Sequence, residues 1–235
     1  MRNLTRPVEK IELWPTLVYV YQYRDWPFDK KKILDVIEAE EKLQQKDIDS
    51  GVAEAVKTKG LKESKFDLLK KKDKYPVLGK LEEFFCESVA SLVTQELPSH
   101  NQRFNISNHA ENITPVIFES WYHKTNNSGA HNLHAHPGAS WAGIFYVNSK
   151  ECDIKNNNGV NRFHNIHSIH GPGDLGSLWW NQDSIFGLQP VEGQLVLFPA
   201  WVYHEATPYT GQEDRVVISF NSVVIGKKSD EGTAL

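Results

Sequence analysis

The sequence predicts a mainly β fold with flanking helices, in which the helices pack outside a β-sandwich or a barrel-like double sheet. Three observations lead to this prediction. The 235-residue chain contains seven Trp, eight Tyr and eleven Phe, and aromatic residues favour strands. Helical apolar patterns fall in the first hundred residues, and strand-like apolar runs separated by Gly, Asn and Pro occupy the rest.

The N-terminal part contributes one strand and one helix. KIELWPTLVYVYQY (10–23) is rich in β-branched and aromatic residues and predicts a strand. The segment 28–46 follows, with Ile33, Val36 and Ile37 at helical spacing, and predicts an amphipathic helix.

A second helix is predicted over 75–97, after a polar, Lys-rich stretch (47–74) that we interpret as a long surface excursion. Pro98 is expected to end the helix. Its apolar residues recur every three or four positions and form one stripe. They are Leu78, Leu81, Phe85, Val89 and Leu92.

The second half of the chain has the sequence pattern of a β domain. Its predicted strands are 115–123, 140–147, 176–180, 193–199 and 215–225. We predict a single domain over 1–235. Its N-terminal strand and helices (1–110) pack on a β core (111–226), and the tail (227–235) is frayed.

Composition excludes several classes of protein. The formal net charge is −4, with acids and bases interspersed, so no basic surface for nucleic acid is predicted. No run of 18 apolar residues and no N-terminal apolar leader occurs, which predicts a soluble, cytoplasmic protein that does not enter membranes. Cys86 and Cys152 are too few for a disulfide framework. A homodimer is compatible with the sequence.

The most informative stretch is HNLHAHPGASWAGIFYV (131–147), which opens with three histidines in six positions. His134 and His136 are two apart, so on a strand or its edge both imidazoles project to the same face. Neutral imidazole is the commonest metal ligand in proteins. An H-x-H pair is also common on ordinary surfaces, and alone it is weak support for a metal site.

His204 is the candidate third ligand, because it stands where the buried run QLVLFPAW emerges. A site with two histidines plus one further ligand and open positions suits iron(II) that must bind a cosubstrate and oxygen.

Arg215 stands eleven residues later, at the start of the apolar run VVISFNSVVI, which contains no acid. A buried cation requires a partner, and the planar guanidinium suits a carboxylate. The partner is either the carboxylate of a ligand or an internal acid such as Asp214, and the residues alone leave both open. Ser219 and Asn221 lie on the same face of the predicted strand.

Two segments, taken together, resemble the iron(II)- and 2-oxoglutarate-dependent oxygenases, in particular the branch with an HxHP motif. They are ESWYHKTNNSGAHNLHAHPGASWAGIFYV (119–147) and GQLVLFPAWVYHEATPYTGQEDRVVISFN (193–221). The segment IELWPTLVYVY (11–21) is similar to the opening strand of that branch. About half of the chain is covered, chiefly the C-terminal β part.

The resemblance implies a double-stranded β-helix (jelly-roll, cupin-like) core with helices packed on one sheet and iron(II) in its mouth. His134 would be the first ligand and His204 the distal one, and Arg215 would bind the far carboxylate of 2-oxoglutarate. The other residues implied on the cofactor side are Tyr122 or Tyr146, as a hydrogen-bond donor to the same carboxylate, and Asn132, Ser219 and Asn221, as cavity lining.

One position departs from the family pattern. The superfamily usually carries Asp or Glu two residues after the first histidine, and this chain carries His136. Imidazole brings no negative charge, so the iron centre would be poorer in electrons. We expect His136 to be a ligand because it faces the same way as His134; the alternative is a position beside the ligands, with a vacancy or an acid from elsewhere.

Several further residues are assigned around the mouth. His131 is interpreted as pocket wall or surface. The loop with His164, His167 and His170 is interpreted as a lid rather than a second metal cluster, because Gly and Pro surround it. The predicted substrate contacts are Trp179, Trp180 and Asp183, together with His131.

The predicted function is hydroxylation of a C–H bond in a small molecule or an amino-acid-like substrate, with iron(II) as cofactor and 2-oxoglutarate and O2 as cosubstrates. One alternative is a three-histidine, cupin-type dioxygenase that does not use 2-oxoglutarate, which leaves Arg215 without a purpose. The other is a non-catalytic β-sandwich binding protein.

Overall fold

The computed structural model describes residues 16–52, 58–104, 113–165 and 185–226. Within these ranges two antiparallel sheets are formed, with strand orders β1-β8-β5-β10-β3-β2 and β4-β9-β6-β7. The strands are β1 (Tyr19–Gln22), β2 (Leu61–Glu63), β3 (Ile113–Thr125), β4 (Gly129–His134), β5 (Trp141–Asn148), β6 (Asn161–His164), β7 (Ile185–Leu188), β8 (Gln194–Pro199), β9 (His204–Tyr209) and β10 (Arg215–Gly226).

Two helices, α1 (Trp26–Asp49) and α2 (Pro76–Phe104), pack on the six-stranded sheet. The predicted apolar faces are buried: Ile33, Val36 and Ile37 of α1 are at most 6% exposed. The five residues of the predicted α2 stripe are all 0% exposed. The prediction of a mainly β, jelly-roll fold with helices on one sheet is confirmed.

Strand β10 supplies side chains to both sides of the six-stranded sheet. Val216, Ile218 and Phe220 belong to the core beneath the helices. Val217 belongs to a second core on the other side of the sheet, with Ala142, Ile144 and Tyr146 of β5. This alternation follows from the two-residue period of a strand. The candidate site lies on the side of the sheet away from the helices.

Two expectations about the N-terminal half are wrong. Helix α2 continues past Pro98 to Phe104, since a helix can tolerate a proline at the cost of one hydrogen bond and a local distortion. The stretch 47–74 is also not purely a surface excursion. It contains β2, which pairs with β3, and a 3-10 helix, Leu68–Lys71, that buries Leu68 and Leu69. These elements are too short to give a periodic signal.

Sequence patterning also missed four short strands, namely β4, β6, β7 and β9. Part of the predicted first strand (10–15), the predicted strand 176–180 and the tail lie outside the described residues. No helix in the described ranges is long and apolar enough to cross a membrane.

We expect Phe85→Ala to destabilise the protein by about 3–5 kcal/mol, because it empties a fully buried volume in the helix–sheet core. The Phe85 ring stacks on Phe220 with centroids 4.8 Å apart. Phe28 is 75% exposed, so Phe28→Ala is the matched control and should change stability by less than about 0.5 kcal/mol. Urea unfolding measures both; equal losses in the two variants would contradict the packing described here.

Candidate functional site

Three histidines meet at one end of the four-stranded sheet. His134 is the last residue of β4, and His204 is the first residue of β9, directly opposite it in the register. His136 lies two residues beyond β4, where its backbone amide donates to the carbonyl of Ala200 at 2.8 Å. Each ring offers a nitrogen, and these three nitrogens all lie within 4.8 Å of one another. This arrangement could hold one metal ion.

Hydrogen bonds to the backbone fix which nitrogen two of these rings offer. Nδ1–H of His134 donates to the carbonyl of Asn132 at 2.7 Å, and Nδ1–H of His204 donates to the carbonyl of Val202 at 3.0 Å. Because a carbonyl can only accept, Nε2 of each ring keeps its lone pair. Nε2 of His136 lies 3.3 Å from Nε2 of His204. Orientation by backbone carbonyls is typical of metal-binding histidines.

Burial keeps these imidazoles neutral. Burial, followed by the proximity of His134, lowers the pKa of His204 to about 3. Burial, followed by the proximity of His134, lowers the pKa of His136 to about 4. The pKa of His134 is also lowered, chiefly by burial. Lone pairs are therefore available for a metal throughout the neutral range.

We expect the metal-free protein to lose stability as the pH falls from about 6.5 towards 4. In this window the unfolded chain binds protons on histidines whose folded pKa is lowered, such as His136 and His204. The free energy of unfolding should fall by up to about 1.4 kcal/mol per pH unit for His204. Urea titrations at pH 7.5, 6 and 5 measure this slope, and His204→Gln should reduce it. A flat profile in the wild type would contradict the burial of these rings.

Arg215 is 2% exposed and lies in the wall of the same pocket. Its Nε donates to the carbonyl of Gly159 at 2.8 Å, and its Nη2 donates to Oδ1 of Asn161 at 2.8 Å. Both acceptors are neutral, and in the described ranges no carboxylate lies within ion-pair distance of the guanidinium. Asp214, the internal acid considered from the sequence, pairs instead with Lys124. Among the described residues, the buried cation is thus left without a counter-charge.

The pocket joins the histidines to this arginine. Its floor is the site-facing row of β10, with Val217 and Ser219 after Arg215. The remaining residues around it are Trp121, His123, His131, His134, His136, Gly143, Ile144, Asn161, His204, Glu205 and Ala206.

The structure separates the two tyrosines proposed for the cofactor side. Tyr146 faces the site side of β5, and its hydroxyl donates to Oδ1 of Asn161, the atom that also accepts from Arg215. Tyr122 lies in the core beneath the helices. The assignment of Tyr122 to the cofactor pocket is wrong, because it stands between the site-facing residues Trp121 and His123 on β3, and neighbours on a strand face opposite ways.

Two of the three proposed lining residues do not line the pocket. The side chain of Asn132 is exposed, and only its carbonyl acts, by orienting His134. Asn221 is buried but lies beyond the lining residues, where its Nδ2 donates to Glu119 at 2.8 Å. Ser219 lines the pocket as predicted, and so does His131. Trp179, Trp180 and Asp183 lie outside the described residues, as do His167 and His170.

Sequence reasoning missed a second polar group beside the histidines. His123 of β3 lies with Nε2 2.6 Å from Oε2 of Glu63 on β2. Its ring is 4.8 Å from that of His131, centroid to centroid. The alternation of Trp121 and His123 along ESWYH could have indicated them. Asn161 and Glu205 gave no such signal, since they belong to the unpredicted strands β6 and β9.

A comparison with protein families matches residues 119–221 to the model described as "Putative 2OG-Fe(II) oxygenase". Residues 119–221 form a 2OG-Fe(II) oxygenase domain. The triad, Arg215 and most of the pocket wall belong to this oxygenase domain. The cofactors of this domain are those of the family name, iron(II) and 2-oxoglutarate.

Several solved structures resemble the chain at low identity. HygX from Streptomyces hygroscopicus, with nickel and 2-oxoglutarate bound, is 11% identical over 88% of this chain and 82% of that one (TM-score 0.47). A prolyl-4-hydroxylase from Pseudomonas putida is 15% identical over 88% and 92% (TM-score 0.43). A 2OG-Fe(II) oxygenase family oxidoreductase from Burkholderia pseudomallei is 11% identical, and the match spans 46% of this chain and 44% of that one (TM-score 0.33). No curated protein matches the chain.

Proposed function

We propose that this protein hydroxylates a C–H bond of a small molecule, with iron(II) held by His134, His136 and His204 and with 2-oxoglutarate anchored by Arg215. One observation carries the proposal: three neutral imidazoles share a single pocket with a buried guanidinium that no carboxylate of the described residues neutralises. The first set suits a divalent transition metal, and the second suits a carboxylate.

The histidine set fits iron(II) in its donor chemistry. Its three nitrogens come from β4, the segment after β4 and the start of β9, and they would supply three of the ligands of an ion whose other positions would be free for the cosubstrates. When bound, iron(II) supplies the oxidation, drawing on O2 and on the decarboxylation of 2-oxoglutarate to succinate. The protein positions the reactants and keeps water away from them.

Arg215 provides the other half of the argument. Its fork already donates to Gly159 and Asn161, which hold the guanidinium in one orientation. A dicarboxylate that entered the pocket would bring the counter-charge that the described structure lacks. Ser219, four residues after Arg215 on the same face of β10, offers a hydroxyl to the same ligand, and the Tyr146 hydroxyl holds Asn161 in place.

The substrate is proposed to be a small molecule with polar, amino-acid-like groups. Glu205 and His131 lie in the pocket wall beside the histidine triad and offer polar contacts to it. Trp179, Trp180 and Asp183 remain proposed substrate contacts, and a cytoplasmic location and a homodimer also remain proposals.

One observation favours a second candidate. The triad contains no carboxylate, as in three-histidine dioxygenases that do not use 2-oxoglutarate. That alternative leaves the buried charge of Arg215 unexplained. Succinate production separates the two, because only the 2-oxoglutarate-dependent reaction forms succinate.

The test is an anaerobic titration with iron(II) followed by 2-oxoglutarate. We expect a weak visible charge-transfer band that saturates at one equivalent each of iron(II) and 2-oxoglutarate per protein. The band requires that 2-oxoglutarate and the protein bind the same ion. Circular dichroism of the same sample shows that the protein is folded. A folded protein that binds iron(II) and yields no band with 2-oxoglutarate would overturn the proposal.

A further inference from the structure

A second group of potential ligands lies beside the triad, and none of its members is a proposed ligand of the iron. It comprises Glu63 on β2, His123 on β3 and His131 on β4. One carboxylate oxygen and one nitrogen from each ring all lie within 4.8 Å of one another. We propose that Glu63, His123 and His131 bind a second divalent ion of the zinc class, separate from the ion of the triad.

The donor set matches this type of ion. Two imidazoles and one carboxylate are a known ligand set for zinc, with an open fourth position. Donor atoms around one zinc ion lie about 3.3 Å apart, because each bond is about 2.0–2.2 Å long. Oε2 of Glu63 and Nε2 of His123 are 2.6 Å apart, so a small opening of this pair makes room for the ion.

Neither protonation state of Nε2 of His123 suits both of its neighbours. Nε2 faces Oε2 of Glu63 at 2.6 Å and also the indole Nε1–H of Trp121 at 3.1 Å. If Nε2 accepts from Trp121, its lone pair faces a carboxylate; if Nε2 carries a proton, the indole N–H faces another donor. Trp121 is 4% exposed, so water gives little relief. A cation at this point pairs with the carboxylate and takes the Nε2 lone pair, and it replaces the indole N–H of Trp121 as the partner of Nε2.

Charge and burial favour the same conclusion. The side chains of Glu63 and His123 are 21% and 9% exposed. Glu63 is the single acid in the cluster, and in the described structure no Lys or Arg side chain forms an ion pair with it. The negative charge of Glu63 reduces the electrostatic repulsion between a second cation and the ion of the triad.

The position of the cluster gives the ion a structural consequence. β2 and β3 belong to the six-stranded sheet, whereas β4 belongs to the four-stranded sheet. An ion at this point would tie the two sheets together next to the pocket. It would also fix His131, whose Nδ1 lies 3.2 Å from Nδ1 of His134.

Zinc stoichiometry tests the proposal. Chelator-stripped protein is dialysed against micromolar zinc and analysed by mass spectrometry for bound metal. We expect two equivalents in the wild type, one in Glu63→Gln and one in His204→Ala, and close to none in the double variant. Glu41→Gln is the matched control, because Glu41 pairs with Lys62 and Lys124 nearby, and it should keep two equivalents.

Glu63→Gln preserves the shape of the side chain. His131→Gln, at a half-buried position, is a second variant that should also lose one equivalent of zinc. Loss of one equivalent in both, with unchanged circular dichroism, supports the site. One equivalent in the wild type that persists in Glu63→Gln and His131→Gln would overturn it, and so would two equivalents in these variants. Failure of the triad would appear instead in the His204→Ala sample, so the two proposals fail separately.

Discussion

Replacement of Arg215 with glutamine is expected to raise the 2-oxoglutarate concentration that half-saturates the anaerobic iron(II) band by about 30-fold or more. Removal of one partner of a buried, hydrogen-bonded charge pair costs about 2–5 kcal/mol, and each 1.4 kcal/mol is about tenfold in affinity. Iron(II) binding in the absence of 2-oxoglutarate should remain almost unchanged, because Arg215 is not a member of the histidine triad.

Arg162→Gln is the control for this substitution. Arg162 lies on β6 with Nη1 3.7 Å from Oε1 of Glu205, and its side chain is partly exposed. We expect its 2-oxoglutarate affinity to stay within about twofold of the wild type, since an exposed ion pair contributes little. Equal losses in both variants, or none in Arg215→Gln, would show that Arg215 does not anchor the cosubstrate.

His204→Ala is expected to weaken iron(II) binding by more than about 100-fold. Loss of a residue that merely supports a ligand already costs about 10–100-fold, and His204 is proposed as a ligand. The visible band with 2-oxoglutarate and the formation of succinate should both disappear. Anaerobic titration followed by a single aerobic turnover measures these two quantities on one sample.

His164→Ala is the matched histidine control. His164 is half-buried on β6, where Nε2 lies 3.2 Å from Oε1 of Glu205, and it is outside the triad. It should retain the band and succinate formation. The assignment of His204 fails if the band survives in His204→Ala, or if the two variants lose it together.

The members of the histidine triad could be predicted from the sequence. The i, i+2 spacing of His134 and His136 and the position of His204 after a buried strand are local features, and the structure brings these residues within reach of one ion. Arg215 was identified because a cation at the start of an acid-free apolar strand requires a partner. Its hydrogen bonds to Gly159 and Asn161 depend on β6 and the turn before it, which no local pattern predicted.

The polar cluster beyond the triad could not be predicted in this way. Glu63 stands on a three-residue strand at the sheet edge within a Lys-rich stretch, and such a strand is shorter than any pattern that periodicity can detect. Tyr122 shows a different limit. Both tyrosines were plausible by type, and the face of each was decided by where the strand register begins, which is a tertiary property.

The two-sided role of β10 has an evolutionary consequence. Even-numbered positions from Val216 to Phe220 support the helices, and odd-numbered positions from Arg215 to Ser219 face the pocket. Deletion or insertion of a single residue in this strand would exchange the two sets, placing a guanidinium under the helices and aliphatic groups at the catalytic mouth. Homologues of this protein should therefore tolerate insertions and deletions in their loops but not within this strand.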